Sequence, residues 1–249
     1  MLKERAKSWR HVFKLDPNRV LSDRALERIC QSDTDAIIIG GTDGITFDNT
    51  WELLTRVRRY PVECVQEISK KSAVVPGFDG YLIPTVLNSG STHWIVGAHH
   101  EAVKIYGTMI PWEDVMVLGY VVLNPESKVA RLTKSRYPLD KDDVTAYARM
   151  AEYLFGLPVF YVEYSGTFGE PDIVRAARKG LAGTRLFYGG GIQSEESART
   201  MAKIADTVVV GNLVYYNVDA AVQTVKWVKE TDVEVDVKSD KGKGGHRAS

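Results

Sequence analysis

"PVFYVEYSG" (158–166), "TRLFYGGGI" (184–192) and "DTVVVGN" (206–212) follow one another at similar spacing in the second half of the chain. Each is a short apolar run rich in β-branched and aromatic residues, and each ends on glycine or asparagine. Runs that are apolar on both faces and alternate with helical segments read as buried parallel strands, because crossover helices cover such a sheet on both sides. Five more runs of this kind precede them: "HVFKLDP" (11–17), "DAIIIGG" (35–41), "VECVQEI" (62–68), "GYLIPTVL" (80–87) and "VMVLGYVVLN" (115–124). Helical periods fall near 22–31, 48–59, 97–110, 141–156, 171–179, 194–205 and 219–230; in the fourth, Val144, Ala148, Ala151 and Leu154 share one face.

Eight strand–helix units in about 230 residues predict a closed (β/α)8 TIM barrel in preference to an open doubly wound sheet. One unit departs from the pattern. "SKKSAVVPGFDG" (69–80) holds Pro76 and two glycines and has no helical period, so the third helix is expected to be replaced by a loop.

The totals agree with one barrel. The 249 residues match the size of the fold, and 44% hydrophobic content supplies a large core. Lys+Arg and Asp+Glu both number 32, so no global field points to nucleic acid. Cys30 and Cys64 lack metal-ligand spacing and read as idle thiols of a reducing compartment. "MLKERAKSWR" is too charged for a signal peptide, and the apolar stretch 115–123 is far short of the ~20 residues of a spanning helix. A cytoplasmic protein with at most peripheral membrane contact is expected. One domain spans 1–230, and the polar, Gly/Lys-rich segment 231–249 reads as a disordered tail.

In a parallel barrel the C-terminal ends of all strands share one mouth. Polar and glycine residues gather at those ends: Lys14 and Asp16, Gly41 and Thr42, Glu163 to Gly166, Gly189 to Gly191, Gly211 and Asn212. The run "YGGGIQSEESA" joins glycines to a helix start at Ser194, a pattern that offers backbone amides to a phosphate, and Gly211–Asn212 matches it on the next strand. Asp16 reads either as a turn residue or as a Mg²⁺ ligand, with Thr42 as a helper. Lys14 points to the same side as Asp16, where it would neutralise a phosphate or pair with the Asp. The basic residues Lys128, Arg131, Lys134 and Arg136 read as a solvated loop or, beside the mouth, as an attractor for pyrophosphate. His93, His99 and His100 lack the spacing of a zinc site. On the helix near 97–110, Ala98, Ala102 and Ile105/Tyr106 share a face; small residues there mean close packing or a groove for an apolar tail, with Tyr106 at its far end.

Glu163 is the conspicuous residue, because a carboxylate at the end of a buried strand is costly unless something pairs with it. Strand alternation places Tyr161 and Glu163 on one face and Tyr164 on the other.

Taken together, "FKLDP" (13–17), "IIIGGTDG" (37–44), "PTVLNS" (84–89), "GYVVLNPESKVARLT" (119–133), "YVEYSGTFG" (161–169), "LFYGGGI" (186–192) and "VVVGN" (208–212) resemble the geranylgeranylglyceryl phosphate synthase family, in particular its bacterial PcrB-type heptaprenylglyceryl phosphate synthases. The resemblance runs over about residues 9–229. It implies a modified barrel without a regular third helix, a homodimer, and Mg²⁺-dependent transfer of a polyprenyl group from its pyrophosphate to the 3-hydroxyl of sn-glycerol 1-phosphate. It further implies that Lys14, the stretch Tyr161, Val162, Glu163, Tyr164, Ser165 and Gly166, and Gly191, Gly211 and Asn212 bind glycerol phosphate, and that Asp16 and Thr42 serve the magnesium. Archaeal members that use the geranylgeranyl donor carry tryptophan where this chain has Ala102, which implies a groove left open for a longer donor. Glu163 would then act as general base on the 3-hydroxyl or would only orient it. The rival readings are an archaeal-type geranylgeranyl enzyme, a phosphosugar isomerase, and a non-catalytic phosphate sensor.

Overall fold

The computed structural model describes residues 1–234. Eight parallel strands close into a barrel in sequence order. They are β1 (His11–Leu15), β2 (Ala36–Ile39), β3 (Cys64–Glu67), β4 (Gly80–Val86), β5 (Val115–Val122), β6 (Val159–Glu163), β7 (Arg185–Gly189) and β8 (Thr207–Val210). Helices α1 (Leu2–Arg5), α2 (Asp23–Cys30), α3 (Phe47–Val57), α4 (Gly97–Tyr106), α5 (Lys128–Thr133), α6 (Lys141–Arg149), α7 (Pro171–Lys179), α8 (Glu195–Ala202), α9 (Leu213–Tyr216) and α10 (Val218–Lys229) complete the chain. Between β3 and β4, where a barrel helix is expected to be missing, one 3₁₀ turn (Lys71–Ala73) stands in a loop. Gln66 fixes that loop, donating to the Ala73 carbonyl at 2.6 Å and accepting from the Val75 N–H at 3.0 Å.

Strand alternation sorts the core into two layers. Val12, Ile38, Val65, Leu82, Leu118, Tyr120, Tyr161, Phe187 and Val209 fill the barrel interior. Phe13, Ile37, Cys64, Phe160, Val162, Leu186 and Val208 pack between the strands and the helices. Both cysteines are buried; burial pushes the Cys30 thiol up to about 12 and the Cys64 thiol further. Such thiols are unreactive at neutral pH.

The N-terminal residues, read from the sequence only as too charged for a leader, close the bottom of the barrel. Leu2 and Trp9 are buried among the interior residues. Glu63, just before β3, clamps this segment by accepting from Arg5 Nε at 2.7 Å and Trp9 Nε1 at 3.2 Å. The packed body also reaches past residue 230. Arg10 donates to the Thr231 carbonyl at 2.7 Å, and the Glu234 N–H donates to the Lys203 carbonyl at 2.7 Å, so residues 231–234 belong to the fold rather than to a tail. The remainder of the expected tail, 235–249, lies outside the described residues. No helix among the described residues is long and apolar enough to cross a membrane.

Candidate active site

The strand ends build one cleft of about 920 Å³ at the mouth. Lys14, Asp16, Thr42, Tyr161, Glu163, Ser165, Gly166, Gly191, Gly211 and Asn212 all line it, so ten of the residues singled out in the sequence converge. Five do not. Val162 and Tyr164 point outward into the layer beneath the helices, as the alternation of β6 requires. A role for them in glycerol phosphate binding is therefore confined to the backbone. Ala98, Ala102 and Tyr106 lie on α4, outside the lining of the cleft. That helix has no fully buried residue, and Tyr106 is 40% exposed.

Glu163 is 7% exposed. Its Oε1 accepts the Ser165 N–H at 2.7 Å and the Ser165 hydroxyl at 3.1 Å. Burial pushes its pKa upward, against the opposing pull of Lys14 and of the Ser165 donors. Ser165 (φ 22°) and Gly166 (φ 81°) both turn into the left-handed region, which brings the chain back under the carboxylate as soon as β6 ends.

The glycines of the β7 end make room that any side chain would occupy. A Cβ on Gly189 would fall 2.1 Å from the Tyr161 hydroxyl. One on Gly191 (φ 50°) would fall 2.2 Å from the Phe168 backbone nitrogen. The N-terminus of α8 itself is a poor anion site. Its cap is closed by Ser194 and Ser197, and its first turn carries Glu195 and Glu196. Of the segments expected to hold phosphate, Gly191, Gly211 and Asn212 line the cleft, whereas Glu195 and Glu196 of α8 do not.

Asp16 and Thr42 both line the cleft, just beyond the ends of the neighbouring strands β1 and β2. Asp16 Oδ1 accepts the Asn18 N–H at 2.9 Å, and its other oxygen has no hydrogen bond among the described residues. The absent side chain of Gly41 gives the carboxylate space, since a Cβ there would lie 3.0 Å from it. Of the basic stretch, Lys128 and Arg131 reach the cleft; Lys134 and Arg136 do not. Lys128 is paired with Asp43 at 2.8 Å. The His99 ring is engaged by the carbonyls of Ile95 at 2.9 Å and Pro84 at 3.1 Å.

Three residues at the mouth were not anticipated. Arg19 lies 3.7 Å over the Tyr215 ring and donates to Asn212 Oδ1 at 2.9 Å, which fixes an arginine at the β8 side of the cleft. Asn124 donates to the Ser165 carbonyl at 3.0 Å and so holds the turn below Glu163. Glu67, at the end of β3, accepts from Lys14 Nζ at 2.7 Å. Glu67 was findable by the reasoning applied to Glu163, since "VECVQEI" also ends a buried strand on a carboxylate. Arg19 carries no local signal, because its partners are distant in sequence, whereas Asn124 ends the fifth apolar run and was visible by the signal that marked Asn212.

A closed parallel barrel whose strand ends gather glycines, polar side chains and a buried carboxylate round one cleft has the form of an enzyme active site. The match to relatives makes this specific: residues 4–229 fit the PcrB family, and the chain belongs to that family. It is 53% identical over 227 residues to the heptaprenylglyceryl phosphate synthase of Geobacillus kaustophilus, covering 91% of this chain and 95% of the relative. It is likewise 53% identical over 221 residues to the heptaprenylglyceryl phosphate synthase of Bacillus cytotoxicus, covering 89% of this chain and 96% of the relative. In structure it resembles the (S)-3-O-geranylgeranylglyceryl phosphate synthase of Thermoplasma acidophilum, solved in complex with its substrate sn-glycerol-1-phosphate. That likeness has a TM-score of 0.80 at 25% identity and covers 92% of this chain and 97% of the other.

Proposed function

We propose that this protein transfers a heptaprenyl group from its diphosphate to the 3-hydroxyl of sn-glycerol 1-phosphate, forming an ether and releasing diphosphate. The relatives' activity and the substrate held by the Thermoplasma barrel support the reaction. The observation that carries it to this chain is the position of Glu163 on the same cleft as Gly191, Gly211 and Asn212, one carboxylate beside a phosphate cradle. The phosphate of the acceptor would rest on the β7 and β8 loops, and its hydroxyls would extend toward β6. There Glu163 would accept the proton of the 3-hydroxyl as its oxygen bonds to C1 of the prenyl chain and the C1–diphosphate bond breaks.

Magnesium is part of this proposal. The ion commonly keeps waters and takes one or two carboxylates plus substrate phosphates, a demand that Asp16 with its unengaged oxygen and Thr42 can meet. When bound, it would neutralise charge on the departing diphosphate. Lys128 and Arg131 would draw the same anion to the cleft. The donor's tail would run along α4 past Ala98 and Ala102 toward Tyr106. A homodimer working at the membrane surface from the cytoplasmic side completes the reading.

Binding of the acceptor tests the cradle separately from the chemistry. Titration calorimetry should show sn-glycerol 1-phosphate binding and sn-glycerol 3-phosphate binding at least about tenfold more weakly, a difference of about 1.4 kcal/mol. Equal affinity for the two enantiomers would contradict the assigned substrate.

A further inference from the structure

The Glu67 carboxylate is a buried charge for which the proposed chemistry has no use. It ends β3, is 7% exposed and does not line the cleft. Its Oε1 accepts from Lys14 Nζ at 2.7 Å, and its Oε2 accepts from the Tyr120 hydroxyl. Tyr120 in turn stacks on Tyr161, with ring centroids 4.3 Å apart and planes 9° from parallel. The place for Glu67 is built by Gly40, because a Cβ on that residue would approach the Glu67 Cβ to 2.8 Å. The Lys14 ammonium is thus bonded to Glu67, the carboxylate that faces no substrate, while Glu163 lines the same cleft as Lys14.

We propose that Glu67 is a positioning residue, which holds the Lys14 ammonium against β3 so that it does not close on Glu163. The inference rests on the reaction assigned above. A half-buried ammonium that loses its partner is drawn to the nearest remaining anion. Of the carboxylates that line the cleft with Lys14, Glu163 is buried at the end of an interior strand, whereas Asp16 already accepts from the Asn18 N–H. A pair between Lys14 and Glu163 would occupy the carboxylate oxygen that the acceptor hydroxyl needs.

The test is a double-mutant cycle on the full chain, with wild type, Glu67→Gln, Lys14→Met and the double variant assayed for prenyl transfer at varied sn-glycerol 1-phosphate. Transfer by the wild type establishes the reaction; its absence with every donor overturns that reading and this one with it. With an active wild type, Glu67→Gln should lower kcat about 10²-fold, as expected for a misplaced catalytic contact, and raise KM by less. In the Lys14→Met background the same change should alter kcat by no more than about twofold, because its effect runs through the lysine. A Glu67→Gln enzyme with kcat near wild type, or equal losses in both backgrounds, overturns the positioning role alone. Should Glu67→Gln fail to fold, Lys14→Met with Glu67→Met replaces the pair by apolar groups, a change that buried ion pairs often tolerate. Its kcat should equal that of Lys14→Met, and a further loss overturns the proposal.

Discussion

Ser165 donates twice to the same oxygen of Glu163, through its backbone N–H at 2.7 Å and its hydroxyl at 3.1 Å, and leaves the other oxygen without a hydrogen bond among the described residues. The carboxylate is held on one side and offered on the other. The turn that achieves this starts as soon as β6 ends, so rotation of the side chain is restricted while one lone-pair edge stays available to the cleft.

Glu163→Gln keeps the size and the accepting oxygen but cannot take a proton. Turnover is expected to fall by about 10²- to 10⁴-fold, the usual contribution of a positioned base. Affinity for sn-glycerol 1-phosphate should change by no more than about threefold, because the phosphate is held elsewhere. Steady-state kinetics with calorimetry on the same preparation separates the two. Unchanged turnover would reduce Glu163 to an orienting residue.

The same substitution should stabilise the fold at neutral pH. Burial raises the Glu163 pKa above its ordinary value of 4.5. The folded state then binds the proton more tightly than the unfolded chain, so this group's contribution to stability declines as pH rises through the raised value. Once ionised, the buried carboxylate is a cost, and Glu163→Gln removes it. Thermal scans should show a higher Tm for the variant at pH 7, with the gain shrinking as pH falls toward 4.5. Wild-type turnover should drop over the same acid range, since the base must be ionised.

Gly189→Ala tests the packing under the site. The new methyl would meet the Tyr161 hydroxyl at 2.1 Å and must displace a ring that stacks on Tyr120. Overpacking of this kind costs about 1–3 kcal/mol. Urea denaturation should show a lower midpoint with an unchanged slope, and glycerol phosphate affinity should fall as well, because Tyr161 lines the cleft. A wild-type midpoint would mean that the interior yields more easily than the contacts indicate.

Ala102→Trp addresses the donor. Ala102 lies one helical turn from both Ala98 and Tyr106 on α4, and an indole there would block a tail running along that helix. Transfer of the heptaprenyl group should fall at least about tenfold relative to that of the geranylgeranyl group, which ends before the obstruction. A variant that treats both donors as the wild type does would move the groove away from α4.

Most of this architecture was legible in the chain because two-sided apolar runs and helical periods are local signals. All eight strands appear where the alternation places them, and the missing third helix was visible as Pro76 and a pair of glycines. The plug formed by Leu2 and Trp9 was not legible, since its apolar residues are sparse among charges and gain meaning only when the strand ends surround them. The site divides similarly. Glycines and polar residues at strand ends announce themselves, and ten of the residues singled out there meet at one mouth. The side chains of Val162 and Tyr164 were assigned with a whole motif and fell outside it, because a strand sends neighbouring residues to opposite faces. Arg19 depends on partners far along the chain, which no local pattern encodes.

The most direct measurement is a donor series. Purified protein would be incubated with Mg²⁺, radiolabelled sn-glycerol 1-phosphate and polyprenyl diphosphates of increasing length, with sn-glycerol 3-phosphate as the acceptor control. Transfer that is greatest with the heptaprenyl donor and absent with the wrong enantiomer is the predicted result. No ether product with any donor, from protein that still binds glycerol phosphate, would contradict it.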